Sequence, residues 1–141
     1  MGILTRREDW VERFNAVLAD MQGKPSAMGE FDCAIFAGRV VEALTGEDRY
    51  QCVAGYKTKR QALTKIAEIA PSFAEAVSKV LEVQPMSPFA ARRGDLVMMR
   101  DEIGQDHLGV VTGAMALFLA EKGFVSVPID SKSVLFAWRV G

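Results

Sequence analysis

The sequence predicts a single α+β domain spanning residues 1–141, with helices packed on an antiparallel sheet. Apolar residues recur at helical spacing through about the first 90 residues. After about residue 94 the pattern changes to short β-branched and aromatic runs separated by glycine-containing turns. The chain has 141 residues, of which 50% are hydrophobic and 25% charged, as expected for one globular domain.

Capping residues mark the starts of four predicted helices. The first is expected to open on a capping box, in which Thr5 and Glu8 each satisfy one free backbone N–H. Asp32, Thr58 and Ser72 are the expected N-caps of the second, third and fourth helices, because each precedes an apolar stripe. Gly23, Gly46 and Pro71 mark the predicted ends of the first three helices, and Pro85 and Pro88 mark the passage out of the helical half.

Five strands are expected in the second half, at about 96–99, 107–112, 116–120, 124–127 and 134–140. The segment Arg93-Gly94-Asp95 is interpreted as the turn that opens the first strand, rather than as an adhesion motif. We expect the strands to form a meander, in which each one pairs with its neighbour in sequence.

The composition excludes several classes of function. The chain has 17 basic and 18 acidic residues, and this balance predicts no nucleic-acid partner and no anionic membrane surface. One histidine and two cysteines are too few for a common zinc site or a disulfide framework, and neither a metal nor a cofactor is expected. No apolar run approaches the roughly 20 residues that a membrane span needs. The N-terminus lacks a signal-peptide pattern, so we expect synthesis in the cytoplasm, with Cys33 and Cys52 as thiols.

Two residues are candidates for catalysis, Cys33 and His107. Cys33 falls in the first turn of the predicted second helix, where free N–H groups and the helix dipole favour the nucleophilic thiolate. His107 is the chain's single histidine and is the natural base for such a thiol. Strand alternation places His107 and Gly109 on one face, and the glycine is expected to let the Cys33 helix approach. From residue types alone, a buried structural cysteine and an incidental histidine remain the alternative.

Three short motifs resemble those of the NlpC-type papain-like cysteine peptidases. These motifs are Phe31-Asp32-Cys33-Ala34 at a helix start, Arg93-Gly94-Asp95-Leu96-Val97 at a strand start, and His107-Leu108-Gly109-Val110-Val111 on the next strand. The cysteine also precedes the histidine, as in unpermuted members. The resemblance implies a papain-like fold, with Cys33 as nucleophile and His107 as base.

The likeness is closer to small prophage-encoded members found near tail genes. It rests on Trp10, Asp32 to Ala37, Gly55 to Thr58, and Ala137 to Val140. The resemblance implies a cysteine peptidase or amidase acting on peptidoglycan stem peptides, with peptidoglycan or phage tail proteins as partners and association with the virion. The alternative is a non-catalytic tail-assembly or structural protein that keeps the fold.

The sequence departs from the family pattern in two places. Family members carry a polar residue on the strand after the histidine, and this residue orients the imidazole. The matching segment 116–120 reads Ala-Leu-Phe-Leu-Ala and offers no polar side chain. Ala34 also replaces the serine or glycine that often follows the cysteine.

Gly55 and Tyr56 lie in the predicted loop before the third helix. They are expected either to line a substrate groove or to form a turn anchored by the tyrosine.

Overall fold

The computed structural model describes residues 3–141 and confirms the α+β class. Four α-helices precede a five-stranded antiparallel sheet, and no helix in this described range is long and apolar enough to cross a membrane. Short 3-10 turns cover Tyr50–Cys52 and Pro88–Ala90. The helices are α1 (Trp10–Met21), α2 (Cys33–Thr45), α3 (Lys59–Ile69) and α4 (Phe73–Leu81). The strands are β1 (Leu96–Arg100), β2 (Asp106–Val111), β3 (Met115–Ala120), β4 (Gly123–Pro128) and β5 (Val134–Trp138).

Side-chain caps set the starts of three helices, as the sequence predicts. The Asp32 carboxylate accepts the N–H of Ile35 at 3.0 Å and so fixes the first turn of α2. Thr58 and Ser72 each accept the N–H three residues later, both at 3.1 Å. Gly46 ends α2 in the left-handed conformation that favours glycine.

The predicted capping box of the first helix is wrong. Helix α1 begins after Asp9, whose side chain does not cap it, rather than at the pair Thr5 and Glu8. The Arg7 N–H instead donates to the carbonyl of Leu44 at 2.7 Å. This tertiary hydrogen bond holds the segment before α1 against the end of α2, and it overrides the local capping preference.

The sheet order is β4-β3-β2-β1-β5, so the first four strands form the predicted meander and the fifth does not continue it. Strand β5 crosses to the far edge and pairs antiparallel with β1, with Leu96 opposite Trp138. Trp138 is fully buried, and its indole N–H donates to Ser78 of α4 at 2.8 Å. Anchorage of this tryptophan under α4 explains why β5 lies beside β1.

The sheet has one face covered by helices and one covered by its own loops. On the helical face, Phe36 and Val40 of α2 belong to the same buried cluster as Leu108, Val110 and Trp138. Alternate residues on the same strands point to the opposite face and form a second cluster, which contains Val97, Val111, Ala116, Phe118 and Ala137. Each strand position can therefore be assigned to a face.

A buried carboxylate joins the two ends of the domain. Asp95 is fully buried and lies 3.1 Å from the Arg6 guanidinium and 3.2 Å from that of Arg139. It also accepts the backbone N–H groups of Arg92 at 2.8 Å and of Val140 at 2.9 Å. The predicted strand-opening turn at residues 93–95 is thus confirmed, and its aspartate ties the residues before α1 to those after β5.

Candidate active site

A cleft of about 940 Å³ lies between the helical half of the domain and the start of β2. Both sequence-predicted site residues, Cys33 and His107, line it. Its size falls within the range of about 300–1,000 Å³ that is usual for small-ligand sites. The cleft therefore places both side chains against one space that a small molecule can enter.

Cys33 occupies the first turn of α2, directly after its capping residue. Burial raises the pKa of the Cys33 thiol, and the negative charge of Asp32 adds to this effect. Hydrogen bonds from the backbone of Leu108 and of Ala34 lower the pKa of the thiol, but by less than burial raises it. The expectation that the helix start favours a thiolate is therefore wrong for this site, because the cost of burying the charged form outweighs the stabilisation by neighbouring backbone N–H groups. The resting group is a neutral thiol.

Cys33 contacts the backbone of Leu108 because the hydrogen-bonded pairing of β2 with β3 does not extend to that residue. The pairing of β2 with β3 starts at Gly109 opposite Phe118, so residues 106–108 extend beyond it. Backbone N–H groups alternate in direction along a strand, and that of Val111 donates to Asp95 on the β1 side. The Leu108 N–H therefore points to the β3 side, past the end of the ladder, where the Cys33 sulfur accepts it.

His107 is held by a residue that the sequence analysis missed. Its Nε2 lies 2.8 Å from Oδ2 of Asp101, in the turn between β1 and β2. The other oxygen, Oδ1, accepts the N–H groups of Ile103 at 3.0 Å and Gln105 at 2.9 Å. The bond to His107, with these backbone bonds, lowers the pKa of Asp101. An ionised Asp101 keeps the proton on Nε2 and leaves Nδ1 as the acceptor.

The position of Asp101 accounts for its absence from the sequence prediction. Family resemblance directed attention to the strand after His107, whereas this carboxylate precedes the histidine in a tight turn. The segment Asp101-Glu102-Ile103-Gly104-Gln105 carries the signal that could have found it, because an aspartate often bonds the N–H two residues on. Asp106, the nearer carboxylate in sequence, instead bonds Arg100 at 2.8 Å.

Gly109 does not serve the purpose that the sequence suggested. A Cβ on this residue would lie 2.5 Å from the Leu117 carbonyl oxygen and 2.6 Å from the Phe118 ring. Phe118 and Val111 belong to the cluster on the sheet face away from α2. Side chains alternate between faces along β2, so His107 points to the same face as Val111. The expectation that Gly109 makes room for the Cys33 helix is wrong, because Phe118 fills that space. His107 reaches the cleft beside the unpaired start of β2.

Two tyrosines connect the cleft wall to the start of α2. The Tyr56 hydroxyl donates to Oδ2 of Asp32 at 2.5 Å, and the same oxygen accepts the Gly29 N–H at 3.0 Å. The Tyr50 hydroxyl bonds that of Tyr56, and burial raises the pKa of both phenols. Both tyrosines also line the cleft. The predicted anchoring of this loop by Tyr56 is therefore confirmed. Tyr56 also lines the cleft, whereas Gly55 is not among the lining residues.

The second cysteine lies outside this arrangement. Cys52 is exposed, its sulfur donates to the Arg49 carbonyl at 3.2 Å, and neither cysteine forms a disulfide. It is not among the residues that line the cleft. Cys52 is therefore a matched control for thiol chemistry at Cys33.

Comparison with known proteins identifies the family but no activity. A search of curated proteins found no match. The model of a domain of unknown function, DUF6950, matches residues 5–140. Because this match covers nearly the whole chain, the protein belongs to the DUF6950 family.

Proposed function

We propose that this protein is a thiol-dependent hydrolase of the cysteine peptidase or amidase class. Cys33 is the nucleophile, His107 the general base, and Asp101 the residue that positions the imidazole. The observation that supports this assignment is that one cleft is lined by a helix-start cysteine and by a histidine held at 2.8 Å by a carboxylate. The papain-like fold assignment belongs to the same proposal.

The neutral thiol defines the order of proton transfers. Since burial keeps Cys33 protonated, Nδ1 of His107 takes the proton as the sulfur attacks the amide carbonyl. The Cys33 backbone N–H, in the first turn of α2, then stabilises the oxyanion. The imidazolium returns its proton to the leaving amine, which departs from a thioester. Water hydrolyses that thioester, and a carboxylic acid and the free thiol result.

The resemblance supplies the expected setting. Peptide stems of peptidoglycan are the expected substrate, and a phage or prophage tail cluster is the expected origin. A tail-associated hydrolase of this kind would reach the cell wall with the virion.

The test compares single variants on a panel of fluorogenic peptide amides and purified peptidoglycan stem peptides. We expect Cys33→Ala and His107→Ala to abolish turnover, and Asp101→Asn to lower kcat while leaving folding intact. Cys52→Ala is the matched control and should retain full activity. Turnover that survives in Cys33→Ala, or that is lost equally in Cys52→Ala, would contradict the assignment.

Two observations favour a second candidate, a non-catalytic tail-assembly or structural protein. Burial raises the pKa of Cys33, and His107 has the alternation of the sheet face away from α2. Under this alternative, the Cys33→Ala variant supports tail assembly as well as the natural chain in a complementation assay. Loss of assembly or infectivity with that variant would support the hydrolase instead.

A further inference from the structure

The wall of the cleft beyond Cys33 is formed by α3 and α4. Helix α3 has no fully buried residue, and Leu63 is 56% exposed. Apolar side chains of the two helices nevertheless line the cleft together, namely Ala62, Leu63, Ile66, Ile69, Phe73 and Val77. The core accounts for Val77, which is part of it, and for Phe73, which packs against it. It accounts for none of the α3 side chains that line the cleft, and an apolar occupant would cover these.

The apolar wall is long as well as continuous. Residues from both ends of α3, Lys59 and Ile69, line the cleft. At 1.5 Å per residue, this helix gives the groove a length of about 15 Å. Such a length suits an extended chain rather than a compact group.

Two buried charged residues of the cleft lining, Asp32 and Arg49, are already engaged within the fold. Arg49 donates to the carbonyls of Val80 and Leu81, at 3.1 Å and 3.0 Å, and pairs with Glu47 and Glu82. The carboxylate of Asp32 accepts the Tyr56 hydroxyl and two backbone N–H groups. These two buried charges are therefore used within the fold rather than presented to a polar substrate.

The helical walls also discriminate between a peptide and an aliphatic chain. Backbone N–H and C=O groups inside a helix are bonded to each other, so they offer nothing to an extended peptide. A peptide laid along α3 would bury its own backbone groups without partners, at a substantial cost. A peptide substrate of the proposed function would therefore have to reach Cys33 without lying along α3. An aliphatic chain carries no such groups and gains from every methylene that it buries.

We propose that Cys33 accepts aliphatic acyl groups, with the acyl chain lying along α3. This inference rests on the proposed function, because it uses the same nucleophile and base. The sulfur of Cys33 bonds to the carbonyl carbon of an ester or thioester, and the bond from that carbon to the leaving oxygen or sulfur breaks. His107 takes the thiol proton and returns it to the leaving group. Water then releases a carboxylic acid and restores the thiol.

The test is a chain-length series of p-nitrophenyl esters, from acetate to decanoate, with hydrolysis by Cys33→Ala subtracted. We expect kcat/KM to rise by about fourfold for each added methylene that is fully buried. Leu63→Glu should flatten this rise, because it places a carboxylate in the groove. Ala67→Glu is the matched control, since Ala67 is exposed on the same helix and outside the cleft lining, and it should keep the natural profile.

The outcomes separate the two proposals. Turnover that depends on Cys33 but not on chain length would overturn the aliphatic acyl substrate and leave the hydrolase in place. A rise with chain length that Leu63→Glu and Ala67→Glu alter equally would also overturn it. Absence of Cys33-dependent turnover with every ester and every peptide would overturn both.

Discussion

Removal of the Asp32 side chain tests how the start of α2 is held. This carboxylate accepts three hydrogen bonds, from the N–H groups of Gly29 and Ile35 and from the Tyr56 hydroxyl. Asp32→Ala removes all three and leaves a buried phenol without its acceptor. We therefore expect the variant to lose stability well beyond that of an ordinary surface substitution.

The magnitude follows from the two kinds of contact. Loss of an N-cap costs about 1 kcal/mol, in a range of about 0.5–2 kcal/mol. An unpaired buried hydroxyl, here that of Tyr56, costs about 1–3 kcal/mol more. The free energy of unfolding of Asp32→Ala should therefore fall by about 2–4 kcal/mol in total. Tyr56→Phe keeps the cap and should lose about 1.5–3 kcal/mol, as for a hydrogen bond to a charged group.

These losses in the free energy of unfolding are measured by urea unfolding. The four proteins compared are the natural chain, the two single variants and the double variant. Because both changes remove the same hydrogen bond, the double variant should be more stable than the sum of the single effects predicts, by at least about 0.5 kcal/mol. Additive effects of Asp32→Ala and Tyr56→Phe would show that the bond is not made in solution. A loss below about 0.5 kcal/mol in Asp32→Ala would refute the capping argument as well.

Three further outcomes are expected. Asp95→Asn should lower the free energy of unfolding measured in urea by about 1.5–3 kcal/mol, as for the loss of a hydrogen bond to a charged group. The reason is that it removes the buried negative charge that pairs with the partly exposed Arg6 and Arg139. A loss typical of a surface site would contradict this. Iodoacetamide at neutral pH should label the exposed Cys52 before Cys33. The rate of Cys33 labelling should keep increasing into alkaline pH, since the pKa of this thiol is raised. Faster labelling of Cys33 than of Cys52 at neutral pH would contradict this prediction. Because the pKa of Asp101 is lowered in the folded protein, this group stabilises the fold above its ordinary pKa, and the stabilisation is lost as the pH falls through the folded-state pKa. His107→Ala should raise the pKa of Asp101 in an NMR titration. An unchanged pKa would exclude the contact between the two side chains.

Local signals predicted most of the helical half and the strand positions. The caps at Asp32, Thr58 and Ser72 depend on residues within one turn, so the sequence reveals them directly. The start of α1 was misplaced because a tertiary bond from Arg7 to Leu44 decides it. The position of β5 was missed for the same kind of reason, since its partner is chosen by long-range burial.

The candidate site was predictable in its residue types but not in its geometry. The sequence predicts Cys33 and His107 as the candidate pair, and both line one cleft. The pKa of the thiol depends on how deeply the fold buries it, and no local pattern reports this. The role of Gly109 depends on Phe118 of the neighbouring strand, and Asp101 acts through a turn conformation, so neither could be read from strand alternation alone.

The hydrogen bond from Arg6 to the Val140 carbonyl, at 2.7 Å, brings the beginning and end of the domain together. The order in which the segments follow one another along the chain is therefore not a requirement of the architecture. A circular permutant in which a short linker joins the segment after Val140 to the segment before Arg6 could open at exposed Lys24, between α1 and α2. In that arrangement Cys33 and His107 stay on one continuous segment, and α1 becomes the last element of the chain rather than the first.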